Sequence, residues 1–383
     1  MEQRRVRKTY KYKLMPTPVQ ARALERVLRG CRTLYNVALF QRKTWWERGQ
    51  GRSATYHQQQ AELPDLKTAC SEYAEINAQV LQDVLVRLDR TFQAFFHRIA
   101  AGEKPGYPRF QGRGRYNSFT YPQVGEHGGA RLNSGHLVLS RIGKLAVRWS
   151  RPIEGTPKTV TISREADGWY ACFSCMDVPV QPLPQTGCET GIDVGLKVFL
   201  ITADGEVVEN PRHYRTAEKQ LVKAQRRVAR RKLGSHRRGK AIALLKRKHQ
   251  KVQRQRRDFH HKTALALVRQ YDTIYLEDLQ VGNMVRNHHL AKGMSDAGWG
   301  RFRAILTSKA ACTGKWVNAV PPAFTSQDCS GCGERVPKSL SVRTHVCPFC
   351  GLVLDRDETA ALNILRAGQA RQARTWVDAP SVA

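Results

Sequence analysis

Residues 4–14 alternate basic positions with aromatic or apolar ones (Val6, Tyr10, Tyr12, Leu14), and the run stops at Pro16. Period two ended by a proline predicts a first β-strand. From Pro16 to about Ala100 the period lengthens. Leu24, Val27, Leu28, Cys31, Leu34 and Ala38 recur three and four apart, as do Leu81, Val84, Leu88, Phe92, Phe95 and Ile99. That spacing lines one face of a helix, so Tyr35, Phe92 and Phe96 fit a core better than a base-stacking surface. Between Gly102 and Pro184, turn residues separate short β-rich runs at 136–140, 144–149, 159–163 and 169–178, the texture of a small β-barrel or sandwich. The strand at 4–14 has no partner close by in the chain. It is expected to join this barrel, with the helical block inserted between. Residues 181–187 (QPLPQTG) read as a linker.

Residues 188–200 read as one strand in which Gly191 and Gly195 flank Asp193; a turn at Asp204-Gly205 then leads into Val207-Val208. Residues 211–262 predict two helices broken at Gly234-Ser235. Leu221, Ala224 and Val228 mark the inner face of the first, and Leu245, Val252, Phe259 and Ala266, at heptad spacing, that of the second. A strand at 273–276 ends at Glu277. A helix near 299–314, a strand near 315–320, a cysteine module and a helix over 358–366 follow, and the small, polar end of the chain is expected to be disordered.

With 383 residues and 41% hydrophobic positions, the chain is long enough for two or three domains with real cores. Its 64 Lys and Arg against 32 Asp and Glu leave a formal charge of +32. Such a balance favours a polyanionic partner. No apolar run reaches the length of a membrane span, and the start MEQRRVRKTYKYK lacks a signal-peptide core, so a cytoplasmic, nucleoid-associated protein with no membrane partner is expected. Residues 211–262 alone hold 20 Lys and Arg against Glu218 and Asp258, a net +18. A block that dense repels itself unless a polyanion neutralises it, which points to phosphate contact rather than a merely solvated face.

Ten cysteines here do not read as a disulfide framework. Cys329-x-x-Cys332 and Cys347-x-x-Cys350, fourteen residues apart and each pair followed by a glycine (Gly333, Gly351), supply four soft thiolates. That set closes a tetrahedral, structural Zn²⁺ site. Cys172 and Cys175 share the spacing but fall on a strand, where residues three apart face opposite ways, so ordinary burial explains them better. Three acids stand at element ends: Asp193, Glu277 and Asp357. Such acids are often caps or ion-pair partners. Beside a basic groove they would equally suit two-Mg²⁺ hydrolysis of phosphodiesters. From spacing alone both readings stand.

The residues Gly191-Ile192-Asp193-Val194-Gly195, Tyr275-Leu276-Glu277-Asp278-Leu279, Ser295-Asp296-Ala297-Gly298-Trp299, the four cysteines and Asp355-Arg356-Asp357-Glu358-Thr359-Ala360-Ala361-Leu362-Asn363-Ile364 resemble the RuvC-like half of the TnpB family. These are transposon-associated RNA-guided endonucleases related to type V CRISPR effectors. Leu34-Tyr35-Asn36 and Gly106-Tyr107-Pro108-Arg109-Phe110 carry the likeness into the N-terminal half. The resemblance implies a multidomain α/β plus β chain. Its wedge β-barrel would span 1–15 and 103–184, its helical recognition domain 16–102, its ribonuclease H-like RuvC domain 188–320 and 354–370, and its zinc-ribbon insertion 321–353. Residues 371–383 would be a disordered tail.

By the same resemblance Asp193, Glu277 and Asp357 are catalytic and hold two Mg²⁺ ions, with Mn²⁺ as substitute, and Cys329, Cys332, Cys347 and Cys350 hold one Zn²⁺. Asp278 and Asp355 are the neighbours most easily confused with the acids. The implied partners are a transposon-derived guide RNA, one protein copy per RNA, and double-stranded target DNA with its displaced strand. Base pairing would read the target beside a short flanking motif. Thr359 stands where relatives usually carry Asn, the one feature that suits the alternative, a nuclease-inactive RNA-guided repressor.

Overall fold

The computed structural model describes residues 4–49, 53–339 and 342–377. These divide into two compact units on either side of the Pro179–Val180 bond.

The first unit opens with strand β1 (Arg5–Met15), in which Tyr10, Tyr12 and Leu14 are buried while the basic residues between them look outward. Helix α1 (Pro18–Arg48) starts at a capping box: Thr17 accepts from the Gln20 N–H and Gln20 accepts from the Thr17 N–H. Short helices α2 (Tyr56–Ala61), α3 (Leu63–Ala69) and α4 (Ser71–Ala74) lead to α5 (Ala78–Ala100). The stripes on α1 and α5 become one core with the β1 residues, Tyr35 and Phe92 included, whereas Phe96 is exposed.

Then come β2 (Ser118–Tyr121), β3 (Ala130–Asn133), β4 (His136–Leu139), β5 (Gly143–Arg148), β6 (Thr156–Glu165) and β7 (Gly168–Pro179). Their order is β2-β6-β7-β1-β5-β4-β3, so β1 lies mid-sheet between β7 and β5, both antiparallel to it. Among the described residues no ladder joins β3 back to β2. The arrangement is therefore an open seven-stranded sheet where the sequence suggested a small barrel or sandwich. Cys175 is buried and Cys172 less so, as alternation along β7 requires.

The second unit contains β8 (Glu189–Val194), β9 (Val198–Thr202), β10 (Val207–Glu209), α6 (His213–Ala229), α7 (His236–Gln270), β11 (Thr273–Glu277), α8 (Val281–Met284), α9 (His288–Ala297), α10 (Trp299–Thr313), β12 (Trp316–Val320), β13 (Thr344–Val346), β14 (Val353–Asp355) and α11 (Arg356–Val377). The main sheet runs β10-β9-β8-β11-β12, with β8, β11 and β12 parallel and β9 antiparallel to both its neighbours.

Four expectations change here. Residues 188–200 form two antiparallel strands rather than one, because the chain turns at Gly195, whose N–H bonds to the Phe199 carbonyl. Residues 181–187 are no free linker: Gln181 and Leu183 donate backbone N–H groups to Cys312 and Thr313, and the Asp272 carboxylate accepts from Thr186 and Gly187. Helix α7 buries Thr263, Ala264, Leu267 and Val268 and leaves Ala266 exposed, since a strict heptad drifts by ~20° per repeat on a straight helix. Finally, α11 runs through residues 371–377 of the expected tail; residues 378–383 lie outside the described residues. No described helix is long and apolar enough to cross a membrane.

Candidate nuclease and metal centres

Asp193 sits near the end of β8, and β11 runs parallel beside it with Leu276 opposite Ile192. The next pair in that register is Glu277 with Asp193, so both acids reach one end of the sheet on the same face. The third acid is delivered by α11, which lies directly on the sheet. A Cβ on Gly191 would meet the Ala361 carbonyl oxygen at 2.2 Å and the Leu365 nitrogen at 2.5 Å, and one on Gly368 would meet the Tyr275 ring at 2.0 Å. Only glycine at these positions lets helix and strands approach so closely, and that approach carries Asp357, in the helix's first turn, toward Asp193.

The electrostatics record the result. Burial, then the Glu277 charge, then the Asp357 charge push the Asp193 carboxyl up to about 7. Burial also raises Glu277, against a hydrogen bond donated by the Thr325 hydroxyl. Asp357 is held differently. Arg356 donates to its Oδ1 at 2.7 and 3.0 Å, and Arg343, from the cysteine-bearing insertion, donates to Oδ2 at 3.3 Å. Asp278 instead pairs with Arg303, and Asp355 accepts the Asp357 N–H at 2.8 Å as a helix cap. Neither joins the group.

The three carboxylates do not form a set whose oxygens all lie within 4.8 Å of one another; among the described residues only the cysteines do so. Their oxygen donors are nonetheless of the kind a hard divalent cation takes: Asp357 is compensated by Arg356 and Arg343, whereas Asp193 and Glu277, both partly desolvated, have no ion-pair partner among the described residues. Arg343, Arg356, Thr325 and Asn363 complete the surroundings. Asn363 donates to the carbonyls of Thr325 and Asp328, tying α11 to the insertion. Arg356 adjoins Asp357 in sequence, but nothing in the spacing marks Thr325 or Arg343. Thr359 is fully buried and donates to the Asp355 carbonyl at 2.9 Å.

The cysteine module is two copies of one turn. The Gly333 N–H bonds to the Cys329 carbonyl and the Gly351 N–H to the Cys347 carbonyl, with both glycines left-handed at φ 84° and 77°. Cys329 Sγ lies 3.6 Å from Cys350 Sγ, and Cys332 Sγ 3.6 Å from Cys347 Sγ. A tetrahedron with Zn–S bonds of ~2.3 Å has edges of ~3.8 Å, so the four sulfurs fit zinc. His345 is buried beside them and hydrogen-bonds Lys338 rather than completing the set.

The basic helices α6 and α7 keep most of their charge outward, and Glu218 and Asp258 are already used by Lys292 and Lys262.

Three family models match the chain: a probable transposase (OrfB_IS605) over residues 173–288, a Cas12f1-like TNB domain over 299–364 and a helix-turn-helix domain over 1–51. The described part of that last segment is strand β1 followed by the single helix α1. A putative RNA-guided DNA endonuclease of Streptomyces pristinaespiralis is 36% identical over 377 residues, covering 96% of this chain and 91% of the relative. The putative RNA-guided DNA endonuclease InsQ of Escherichia coli K12 is 30% identical over 381 residues, covering 94% and 92%. Among solved structures, a Cas12f1–sgRNA–target DNA complex aligns with a TM-score of 0.54 at 14% identity, over 94% of this chain and 98% of that one. At that identity the likeness speaks to the fold alone.

Proposed function

The chain belongs to the TnpB family, and from that premise we propose that it is an RNA-guided DNA endonuclease of an insertion-sequence transposon. Its relationship to the Streptomyces endonuclease over 96% of its length carries the reading. The mixed five-stranded sheet with α11 across it supports a RuvC-like domain, and Asp193, Glu277 and Asp357 are its catalytic acids. These carboxylates would hold Mg²⁺. When bound, the metal supplies an activated water and stabilises the leaving oxygen. The chain's own task is positioning: β8 and β11 fix two acids in register, α11 brings the third, and Thr325 orients Glu277. The cysteines carry a structural zinc.

A guide RNA selects the target by base pairing, and the basic helices α6 and α7 hold nucleic acid through phosphates. The N-terminal unit takes the wedge and recognition roles. The nuclease-inactive alternative gains nothing from Thr359, whose hydroxyl is used on the Asp355 carbonyl, at the residue just before its helix.

The test is cleavage of a matched DNA target by protein and guide RNA in Mg²⁺. Wild type is expected to cut and Asp193→Ala to lose about 10³-fold in rate while still binding target. Equal cleavage by both would refute the assignment of the acids.

A further inference from the structure

Beyond β12 the chain leaves the sheet at its carboxylate end and runs into the first cysteine turn. Val320 closes β12 opposite Glu277, and its carbonyl accepts the Asp278 N–H at 2.8 Å. Four residues on, at Phe324, the backbone turns left-handed. Five non-glycine residues take a positive φ among the described residues, and Phe324, at 62°, is the one aromatic among them. A bulky residue keeps that conformation only where its surroundings hold it there, and such positions gather where function needs them.

The surroundings that hold Phe324 come from the cysteine module. Its carbonyl accepts the N–H groups of Gln327 and Asp328 at 2.8 and 2.9 Å, which closes a turn. Its ring, 47% exposed, lies against the Arg335 guanidinium, whose carbon stands 3.5 Å from the ring centroid. Arg335 in turn donates through Nε to Asp328 Oδ1 at 3.0 Å, and the two residues form an antiparallel bridge. The first cysteine turn puts Arg335 there: the Cys329 N–H bonds to the Glu334 carbonyl at 2.9 Å, so the chain doubles back just past Cys332 and Gly333.

What the turn delivers is Thr325. This residue is buried while Phe324 before it is exposed, and its hydroxyl donates to Glu277 Oε1. Its carbonyl and that of Asp328 accept from the Asn363 amide of α11 at 2.8 and 2.7 Å, which fixes the far side of the turn.

We propose that Phe324 and Arg335 are positioning residues for Glu277: the guanidinium set on the ring holds residue 324 left-handed, and the turn so held aims the Thr325 hydroxyl at the carboxylate. A hydroxyl brings no charge to compete with a cation, and a ligating carboxylate that loses its outer partner binds metal more weakly. The inference rests on the reading above that Glu277 holds a metal, and it adds a route to that metal from the cysteine module through Arg335 and Phe324.

The zinc-loaded, full-length protein without nucleic acid would be titrated with Mn²⁺ by calorimetry. Thr325→Val is expected to weaken Mn²⁺ binding about tenfold, and Thr325→Ser, which keeps the hydroxyl, to restore it. Phe324→Ala and Arg335→Ala should each weaken it about two- to fivefold, the size of an exposed cation–π contact. Neither should weaken it further in the Thr325→Val background, because a residue that acts through the hydroxyl then has nothing to act on. Target cleavage by these two variants should fall at low Mg²⁺ and recover at high Mg²⁺, with zinc content as in wild type, a pattern that loss of the fold would not give. Glu277→Gln should weaken Mn²⁺ binding more than any of them and abolish cleavage. Losses at 324 and 335 that add in full to that of Thr325→Val, or unchanged Mn²⁺ affinity in all three single variants, would overturn the positioning role and leave the nuclease reading standing on Glu277→Gln. A Glu277→Gln protein that bound Mn²⁺ and cut as wild type does would overturn both.

Discussion

The four cysteines and the three carboxylates belong to the same compact unit, yet the chain presents them in opposite condition. The cysteines converge without help. Two repeated turns bring the sulfurs to within 4.8 Å of one another, and the paired separations of 3.6 Å already suit a tetrahedral metal. The carboxylates are brought near one another but not into a ligand shell: Asp357 leans on two arginines, Glu277 on a hydroxyl, and Asp193 is left desolvated and crowded by like charge. A structural ion shapes its own surroundings and stays. A catalytic ion of the kind proposed for the acids would share its ligands with substrate, leaving an acidic cluster that is strained without it.

The sharpest way to break the contrast is to spoil the sulfur set. Cys347→Ser is expected to lose its stoichiometric zinc by atomic absorption and to leave residues 321–353 open to proteolysis. Structural zinc binding is worth about 10 kcal/mol or more in isolated zinc-finger peptides, and here it would be felt as local folding free energy. Full retention of zinc would show that three sulfurs and another donor suffice.

A smaller effect tests the carboxylates without any nuclease assay. The Asp193 carboxyl titrates near 3.8 when exposed and near 7 in the folded protein. Between those values the native state keeps a proton that the unfolded chain has released. Stability of the metal-free protein therefore is highest below pH 4, falls as pH rises through 7 and is flat beyond. The loss is at most about 4 kcal/mol at 1.36 kcal/mol per unit, and less to the extent that solvent reaches this half-buried side chain. Asp193→Asn should flatten the profile and raise the melting temperature at pH 8. A profile identical to wild type would mean that Asp193 is neither desolvated nor crowded by the other acids in solution.

The contrast also governs what could be read from the sequence. The cysteine module was legible because its ligands, its turns and its glycines are all local. The β1 strand was legible from its alternation, and its lack of a local partner pointed to the later strands between which it lies. The acids were visible only as residues at strand ends, equally suited to capping, and Asp355 does cap a helix. What brings the others together is long-range: the parallel register of β8 with β11 and the closeness of α11 that Gly191 and Gly368 permit. Spacing carries no trace of Arg343 or Thr325, since each meets its carboxylate through the path of the insertion. The barrel-or-sandwich reading left the closure of the sheet undecided, because short strands between glycines fit an open sheet equally well.

Arg343 offers the finest test of the comparison. Like Thr325 on Glu277, it is a contact by which the cysteine-bearing insertion touches the carboxylate group, donating to Asp357 Oδ2 at 3.3 Å while Arg356 holds Oδ1. Its side chain is 47% exposed, so the pair is solvent-screened and worth no more than about 1 kcal/mol. Arg343→Gln removes a positive charge from beside the acids and frees one oxygen of Asp357. Mn²⁺ titrated into the protein without nucleic acid, followed by calorimetry, should then bind about two- to fivefold more tightly, with zinc content unchanged. Arg356 remains in the variant, so the gain is small by construction, and Arg356→Gln should give a larger one because its guanidinium is only 13% exposed. Equal Mn²⁺ affinity in all three proteins would mean that the arginines do not compete with the cation. The carboxylates would then be as ready for metal as the cysteines are, and the difference between the two centres would lie in substrate access alone.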